Sequence, residues 1–246
     1  MKSRMVQIIL SVLLYLVLAV LMIMQVSDVL DFSFLIENKA MLLKATWTTL
    51  YLSIFAMLSS MVIGFMLFLL TESSSVFLKV TAGIYKEIIM GTPLLVLVFV
   101  VVYIIGVALG IRNKMMLGFL AITLYMSPYM TNAFDGAYRA IDKSQFMVMD
   151  FYGFSIYQKY RYILLPQMIR PIVPSLINNL SGIIKGTSIL STIAISEIFY
   201  TTSVLSNQSY RYIEGYFVLW MVYLLITIPL SRLAKYLTKA EVENGH

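Results

Sequence analysis

The chain has 246 residues, of which 60% are hydrophobic and 12% are charged, and its mean hydropathy is +0.87. Soluble globular domains are about 25% charged, so this chain has too few charged side chains to cover a surface that faces water. The absence of cysteine excludes a disulfide-stabilised scaffold, and the net charge of +6 forms no basic stripe that would bind nucleic acid. The composition therefore predicts a protein that crosses a membrane several times.

Six apolar segments are long enough, or nearly so, to cross a bilayer. About 20 residues are needed, because each helical residue rises about 1.5 Å through a hydrocarbon core about 30 Å thick. Lipid leaves no partner for unpaired backbone groups, and these segments do not alternate as barrel strands do. We therefore predict an all-α membrane protein with six transmembrane helices: Val6–Val26, Ala45–Leu70, Ile88–Ile111, Met115–Phe134, Pro171–Ser196 and Gly215–Ser231.

The first of these segments has a second interpretation, as a cleaved signal peptide, because Lys2 and Arg4 precede it. Its uncharged run is longer than the apolar region of a typical signal peptide, and no clear small-residue cleavage site follows it. The sequence therefore favours a retained helix.

The basic residues predict the orientation of the chain. With the N-terminus inside, twelve of the lysines and arginines fall on the inner side and five on the outer side, while Lys185 lies within a span. Short cytoplasmic loops carry an excess of positive charge. We therefore predict that both termini are cytoplasmic.

The longest connection, residues 139–166, lies on the predicted cytoplasmic side. A loop of this length is usually functional or disordered, and its many aromatic and methionine residues make it too apolar for disorder. We predict one or two short helices with a surface that binds a partner. Gly153 permits a sharp turn between them, and Pro166 is expected to end the second helix before the next span.

Within this loop, Gly153 is followed at full spacing by Ile163, Leu165 and Pro166. This resembles the cytoplasmic signature of ABC importer permeases, which is Glu-Ala-Ala, three residues, Gly, nine residues and Ile-x-Leu-Pro. The Glu-Ala-Ala half is degenerate here, because Met147-Val148-Met149 occupies its place. An unrelated loop that contains a glycine and a proline is the alternative for this motif taken alone.

Other stretches, in order between Leu42 and Leu230, are similar to the polar amino-acid uptake subgroup, the histidine and glutamine permeases. They are Thr49-Leu50-Tyr51-Leu52-Ser53, Gly91-Thr92-Pro93-Leu94-Leu95-Val96, the stretch from Gly136 to Gln145, Leu165-Pro166-Gln167, Lys185-Gly186-Thr187-Ser188-Ile189, and Glu197. The chain departs from the subgroup at several charged positions. Met90 stands where arginine is usual, and Asn132 and Asp135 stand where glutamate and arginine are usual.

The resemblance implies a type I (MetI-like) permease fold that forms half of a dimeric pathway in the bacterial cytoplasmic membrane. It implies four partners: an ABC ATPase dimer, a second permease subunit (the same or homologous), an extracytoplasmic solute-binding protein and an amino-acid substrate. On this basis residues 1–40 form an extra helix and external loop, residues 41–238 form the permease domain, and residues 239–246 form a tail. The resemblance assigns coupling to the ATPase to Met147, Asp150, Gly153, Ile163, Leu165 and Pro166.

Lys185 is the candidate for contact with a substrate. A lysine at a span centre costs roughly 2.5–3.5 kcal/mol and is functional by default, and it lies too far from either interface to snorkel. A buried structural pair and a contact with a substrate carboxylate both remain open. The wider set of pathway candidates is Lys185, Thr187, Ser188, Asn132, Thr49 and Ser53.

No catalytic residue, cofactor or metal site is expected. The single histidine is His246, and the chain has no P-loop motif, so ATP would be hydrolysed by another subunit. A transporter or channel driven by an ion gradient is the alternative. That class predicts acidic or histidine relays inside the membrane, and the span centres contain none.

Overall fold

The computed structural model describes residues 30–244 continuously, together with residues 6, 7, 9–11, 13–15, 17, 20 and 21. These residues are mainly helical and include no β-strand, which confirms the predicted all-helical class. The first predicted span, Val6–Val26, lies partly outside the described residues, so its full extent stays a prediction.

The continuous part of the chain forms helices joined mostly by short turns. In chain order they are α1 (Ser33–Glu37), α2 (Lys39–Thr71), α3 (Val76–Gly91), α4 (Leu94–Ala108), α5 (Lys114–Arg139), α6 (Lys143–Phe151), α7 (Ile156–Ile193), α8 (Ile198–Ser209) and α9 (Tyr212–Asn244).

Among the described residues, α2 and the stretch Tyr212–Lys239 of α9 are each long and apolar enough to cross a membrane alone. Two bent pairs pass the same test when each is taken as one unit. The helices α3 and α4 meet at 109°, and α7 and α8 meet at 51°. The described part of the chain therefore holds two to four candidate spans.

The break between α3 and α4 corrects one sequence expectation, because Ile88–Ile111 is not a single straight span. Thr92 has an extended backbone, with φ −100° and ψ 126°. Pro93 is the cause: its ring disfavours the helical conformation of the residue before it, and it has no N–H to continue the helical ladder.

Pro166 corrects a second expectation, because it does not end a helix. It lies at the start of the α-helical part of α7, Leu165–Gly186, and helical structure continues without a break on both sides. The preceding turn, Lys159–Leu164, is π-helical. A proline clashes with the carbonyl four residues earlier, and the wider π-helical turn gives that carbonyl room.

The helices α2 and α5 cross closely at Gly64. The hydroxyl of Thr131 donates to the Gly64 carbonyl over 3.1 Å. A β-carbon placed at Gly64 would lie 2.5 Å from the β-carbon of Met130 and 2.8 Å from the carbonyl oxygen of Ser127. Small side chains and glycine therefore let these two helices approach closely in the centre of the bundle.

Candidate functional site

The predicted coupling loop, residues 139–166, folds into α6, a glycine turn and the start of α7. The Asp142 carboxylate caps α6 by accepting from the Ser144 backbone N–H over 2.7 Å. These hydrogen bonds from Ser144 hold the pKa of Asp142 below its usual range. After the turn, the Ser155 side chain and Gln158 form a capping box that starts α7.

Gly153 forms the turn after α6 with φ +67°. Its N–H donates to the Asp150 carbonyl over 3.0 Å, and the Phe154 N–H donates to the Met149 carbonyl over 3.0 Å. The predicted sharp turn at this glycine is therefore confirmed. No atom of the described residues would lie within 4 Å of a β-carbon at this position.

One side of the predicted coupling loop packs against the rest of the chain, and the other side is exposed. Met149 is buried in a cluster with Leu164, Met168 and Phe68. The open side is apolar, and we name it the coupling surface: Met147, Val148, Phe151, Tyr152, Ile156 and Tyr157. Phe151 is 86% exposed. Apolar side chains that are exposed outside the predicted spans are typical of a surface that binds a partner.

The coupling candidates fall into two groups. Met147, Asp150 and Gly153 lie on the exposed segment, and Asp150 forms an ion pair with Lys159. Ile163 and Leu165 are half-buried behind it, where Ile163 packs against the cluster around Met149, and Pro166 is exposed. The structure therefore places the first group in reach of a partner and gives the two aliphatic residues a supporting position.

Aromatic side chains stiffen the base of this segment. Tyr138 meets Phe146 edge-on at a ring-centre distance of 5.2 Å, and it meets Phe68 at 5.4 Å. Tyr160 also packs against Phe68. Burial, together with Tyr138 and Glu72, raises the pKa of the Tyr160 phenol to about 12. The segment thus rests on a packed aromatic base that links it to α2 and α5.

Lys185 is exposed on the surface of the chain. Within the described residues its ammonium group has no ion pair and no hydrogen bond, so a structural pair inside this part of the chain is not found. Its neighbours differ: Ser188 is half-buried and donates to the Lys185 carbonyl over 2.8 Å, whereas Thr187 is fully buried and donates to the Ile184 carbonyl. Lys185 is therefore available to a group outside the described chain.

Thr49 and Ser53, the other polar candidates, point into the packed interior. Both are fully buried. The Thr49 hydroxyl accepts from the Ile198 N–H over 3.1 Å and lies 3.4 Å from the Glu197 carboxylate, which caps α8. Ser53 donates to the Thr49 carbonyl over 2.7 Å. The structure does not give these two side chains the exposed position that Lys185 has.

The departures from the subgroup pattern occur as neighbours in the structure. The side-chain amide of Asn132 lies 3.9 Å from the sulfur of Met90, so the positions of a usual glutamate and a usual arginine are in contact and are both neutral here. Asp135, where arginine is usual, instead pairs with Arg139 at 2.9 Å. Asn132 and Asp135, which both depart from the usual pattern, therefore each have a partner within the described chain.

An ionic cluster between distant parts of the chain was missed by the sequence analysis. The Arg211 guanidinium lies 2.6 Å from the Asp31 carboxylate, and the buried Glu214 accepts from the Asp31 N–H over 3.0 Å. The Ser33 N–H and Arg211 hold the pKa of Asp31 below its usual range. No local pattern links residues 180 positions apart.

The acidic side chains of the described residues do not gather into a metal-binding cluster. Among residues 30–244 and the described part of residues 6–21, no group of three acidic or histidine side chains is arranged to hold a metal ion. The site offers an exposed apolar surface on a segment that is packed against the helix bundle.

Comparison with known proteins gives concordant matches. The family model described as "Binding-protein-dependent transport system inner membrane component" matches residues 73–241. The probable amino-acid permease protein YxeN of Bacillus subtilis is 28% identical over 207 residues, which are 83% of this chain and 92% of the relative. The probable glutamine ABC transporter permease protein GlnM of the same organism is 28% identical over 211 residues, which are 85% and 97% of the two chains.

A solved structure agrees in fold. The crystal structure of an amino acid ABC transporter with histidines superposes with a TM-score of 0.77 at 24% sequence identity, and the match covers 86% of this chain and 99% of the other. The helical arrangement described above is therefore shared over nearly the whole of that chain.

Proposed function

The chain belongs to the family of binding-protein-dependent transport system inner membrane components, and on that premise we propose that it forms half of the pathway of an ATP-driven importer for a polar amino acid. Membership of this family confirms the prediction of an importer permease and does not favour the alternative of a transporter driven by an ion gradient. The names of the amino-acid and glutamine permeases among its relatives support the substrate class.

The coupling surface is the observation that carries the proposed mechanism. Six apolar side chains stand exposed on α6, its glycine turn and the start of α7, while the other side of the same segment is packed on the helix bundle. A separate ATPase dimer would cover this surface, and its movement on ATP hydrolysis would reach the bundle through α6. The two permease halves would then alternate access by rigid-body rotation.

The proposed arrangement has six spans with both termini inside the bacterial cytoplasmic membrane. Residues 1–40 supply the extra helix, residues 41–238 the permease domain and residues 239–246 the tail. A second permease subunit completes the pathway, and an extracytoplasmic binding protein delivers the solute. The asymmetry of the basic residues supports this orientation.

Lys185 is the residue we assign to the substrate carboxylate, with Ser188 and Asn132 as further pathway residues. An unpaired ammonium within a span is costly, and no group in the described chain compensates it. The other three candidates are fully buried and would have an indirect role, which is to hold the helices that line the pathway. They are Thr187, Thr49 and Ser53.

The test of the coupling role uses two glycines with the same backbone conformation. Gly153 and Gly110 have φ of +67° and +69°, and a β-carbon at either position would have no described atom within 4 Å. We expect Gly153→Arg to insert into the membrane, lose the co-purifying ATPase and abolish uptake of radiolabelled L-glutamine into ATP-loaded vesicles. Gly110→Arg has the same backbone strain in the turn after α4, and this variant should keep both the co-purifying ATPase and uptake. Retention of the ATPase and of uptake by Gly153→Arg would reject the proposed coupling surface.

The topology is tested by reporter fusions at Met41, Asn113, Ser155 and Asn207. The expected locations are outside, outside, inside and outside. An external location for the Ser155 fusion would contradict the proposal, because an ATPase in the cytoplasm could not reach the coupling surface.

The role of Lys185 is tested by Lys185→Met, which keeps the length of the side chain and removes its charge. We expect a raised substrate concentration for half-maximal uptake and unchanged assembly with the ATPase. Lys235→Met is the matched control, because Lys235 is also exposed but lies near the end of α9. Normal uptake kinetics in Lys185→Met would remove Lys185 from the pathway.

A further inference from the structure

Two glutamine side chains join the coupling helix α6 to the long helix α7. The amide of Gln145 donates to the side-chain oxygen of Gln167 over 3.1 Å, and the amide of Gln167 donates back to the oxygen of Gln145 over 2.8 Å. Each amide thus uses both its donor and its acceptor on the other. Loss of either side chain removes both hydrogen bonds.

Gln167 is itself held in place by its own helix. Its amide also donates to the Ile163 carbonyl over 3.0 Å. That carbonyl is four residues earlier, and Gln167 follows Pro166 directly. This hydrogen bond to its own helix favours the orientation in which Gln167 faces Gln145.

A second polar contact joins α6 to α7, and it lies on the other side of the π-helical turn. Asp150, near the end of α6, pairs with Lys159, the first residue of the turn Lys159–Leu164. Gln167 lies after that turn, in the α-helical part of α7 that continues to Gly186. The Lys159 contact therefore lies at the start of the π-helical turn, whereas the Gln167 contact lies in the regular helix beyond it. Of these two polar contacts, the glutamine pair is the one that reaches this part of α7, and it lies beside the buried packing of Met149 with Met168.

We propose that the Gln145–Gln167 pair is a positioning contact that, beside the buried packing of Met149, transmits the movement of α6 into α7. This inference rests on the proposed function, in which an ATPase moves α6. The pair touches neither substrate nor nucleotide. Its role is to make α6 and the α-helical part of α7 move together, so that ATP hydrolysis is converted into opening of the pathway.

The experiment separates docking from transmission. The variants Gln145→Met and Gln167→Met keep side-chain length and remove both hydrogen bonds. The permease is co-purified with its ATPase, reconstituted into vesicles, and assayed for ATP hydrolysis and for L-glutamine uptake. We expect the ATPase to stay bound and hydrolysis to continue, because the coupling surface is unchanged. Uptake per ATP hydrolysed should fall about fivefold, an effect of the order expected when two exposed hydrogen bonds are lost together.

The rescue uses a charge pair in place of the amide pair. The double variant Gln145→Lys with Gln167→Glu should restore most of the uptake per ATP, because an ammonium group can donate to a carboxylate across the same gap. Gln208→Met is the matched control: Gln208 is exposed on α8 and has no side-chain hydrogen bond within the described residues. It should behave as the unchanged protein.

Three results would overturn the inference. Unchanged uptake per ATP in both methionine variants would show that the pair transmits nothing. Loss of the bound ATPase in these variants would show that the pair only maintains the docking surface. If uptake per ATP in the double charge variant were as low as in the methionine variants, contact between these two positions would not be what matters. If the unchanged chain bound no ATPase at all, the proposed function would fail instead, and that outcome is distinguishable from the other three.

Discussion

Two glycines of this permease, Gly64 and Gly153, lie in opposite surroundings. At Gly64 the helices α2 and α5 are so close that a β-carbon would overlap with Met130 and with the Ser127 backbone. At Gly153 the backbone has φ +67°, but the space around the α-carbon is open in the described chain. The first glycine is required for space and the second for conformation.

The two glycines thus mark two kinds of region: one that stabilises the fold by internal packing, and one that presents an exposed surface. The α2–α5 crossing is buried, and the Thr131 hydroxyl there is paired with the Gly64 carbonyl of the same chain. The coupling surface around Gly153 is exposed and apolar. Substitutions at the crossing should therefore change folding, and substitutions at the turn should change function with little loss of stability.

The largest expected effect is that of Gly64→Ala. Its β-carbon would meet backbone atoms of α5, which cannot rotate away as a side chain can. Overpacking of this kind costs about 1–3 kcal/mol or more, so we expect a clear drop in the thermal unfolding temperature and in the yield of folded protein in detergent. Gly83→Ala is the control, because nothing lies within 4 Å of its β-carbon position and alanine favours a helix. Equal stability of the two variants would contradict the close crossing.

A smaller loss of stability is expected for Gly215→Ala. This variant tests whether steric overlap costs less when the neighbouring group is a side chain that can rotate. The new β-carbon would overlap with the Ser206 hydroxyl oxygen, and that side chain can rotate. We expect about 1 kcal/mol of destabilisation, measured by thermal unfolding. Adding Ser206→Ala should recover stability, because the buried Ser206 hydroxyl has no hydrogen-bond partner in the described chain. If the double variant were less stable than Gly215→Ala, the overlap would not be the cause.

At the turn, Gly153→Ala should leave global unfolding almost unchanged and reduce uptake. A non-glycine residue in the left-handed region costs roughly 1–2 kcal/mol, and here that cost falls on a local turn rather than on the bundle. Gly153→Asn is the matched comparison, because asparagine adopts this conformation more readily. We expect uptake to rank in the order glycine, asparagine, alanine. Alanine and asparagine variants with equal uptake would argue against a conformational role.

The smallest expected effect is a pH dependence of α6. Hydrogen bonds from Ser144 lower the pKa of Asp142 in the folded chain, so the stabilisation from this cap is present above the unfolded pKa of about 4 and is lost as the pH falls through the lower folded value. Amide exchange at Ser144 and Gln145, corrected for intrinsic rates, should show less protection in acid. In Asp142→Asn, which caps without titrating, this change should disappear. If Asp142→Asn showed the same loss of protection in acid, the pH dependence would come from another titrating group.

Much of the fold and part of the candidate site could be predicted from the sequence, because those features depend on neighbouring residues. Apolar length gave the helical class, and the turn at Gly153 follows from the conformational freedom of one residue. Pro93 and Pro166 were harder to interpret. Both interrupt a regular α-helix, but one produced a 109° bend and the other a π-helical turn within a continuous helix.

The exposure of Lys185 and the pairing of Gln145 with Gln167 were decided by the tertiary structure. Sequence alone identified Lys185 as important but left its surroundings open, and it gave no reason to join two glutamines 22 positions apart. The same holds for the contact of Met90 with Asn132 and for the hydrogen bond between Thr49 and Ile198, which are 149 positions apart. Hydrophobicity and backbone preference act along a few residues of the chain, whereas contacts of this kind exist only after the helices have packed and brought distant side chains within hydrogen-bond distance.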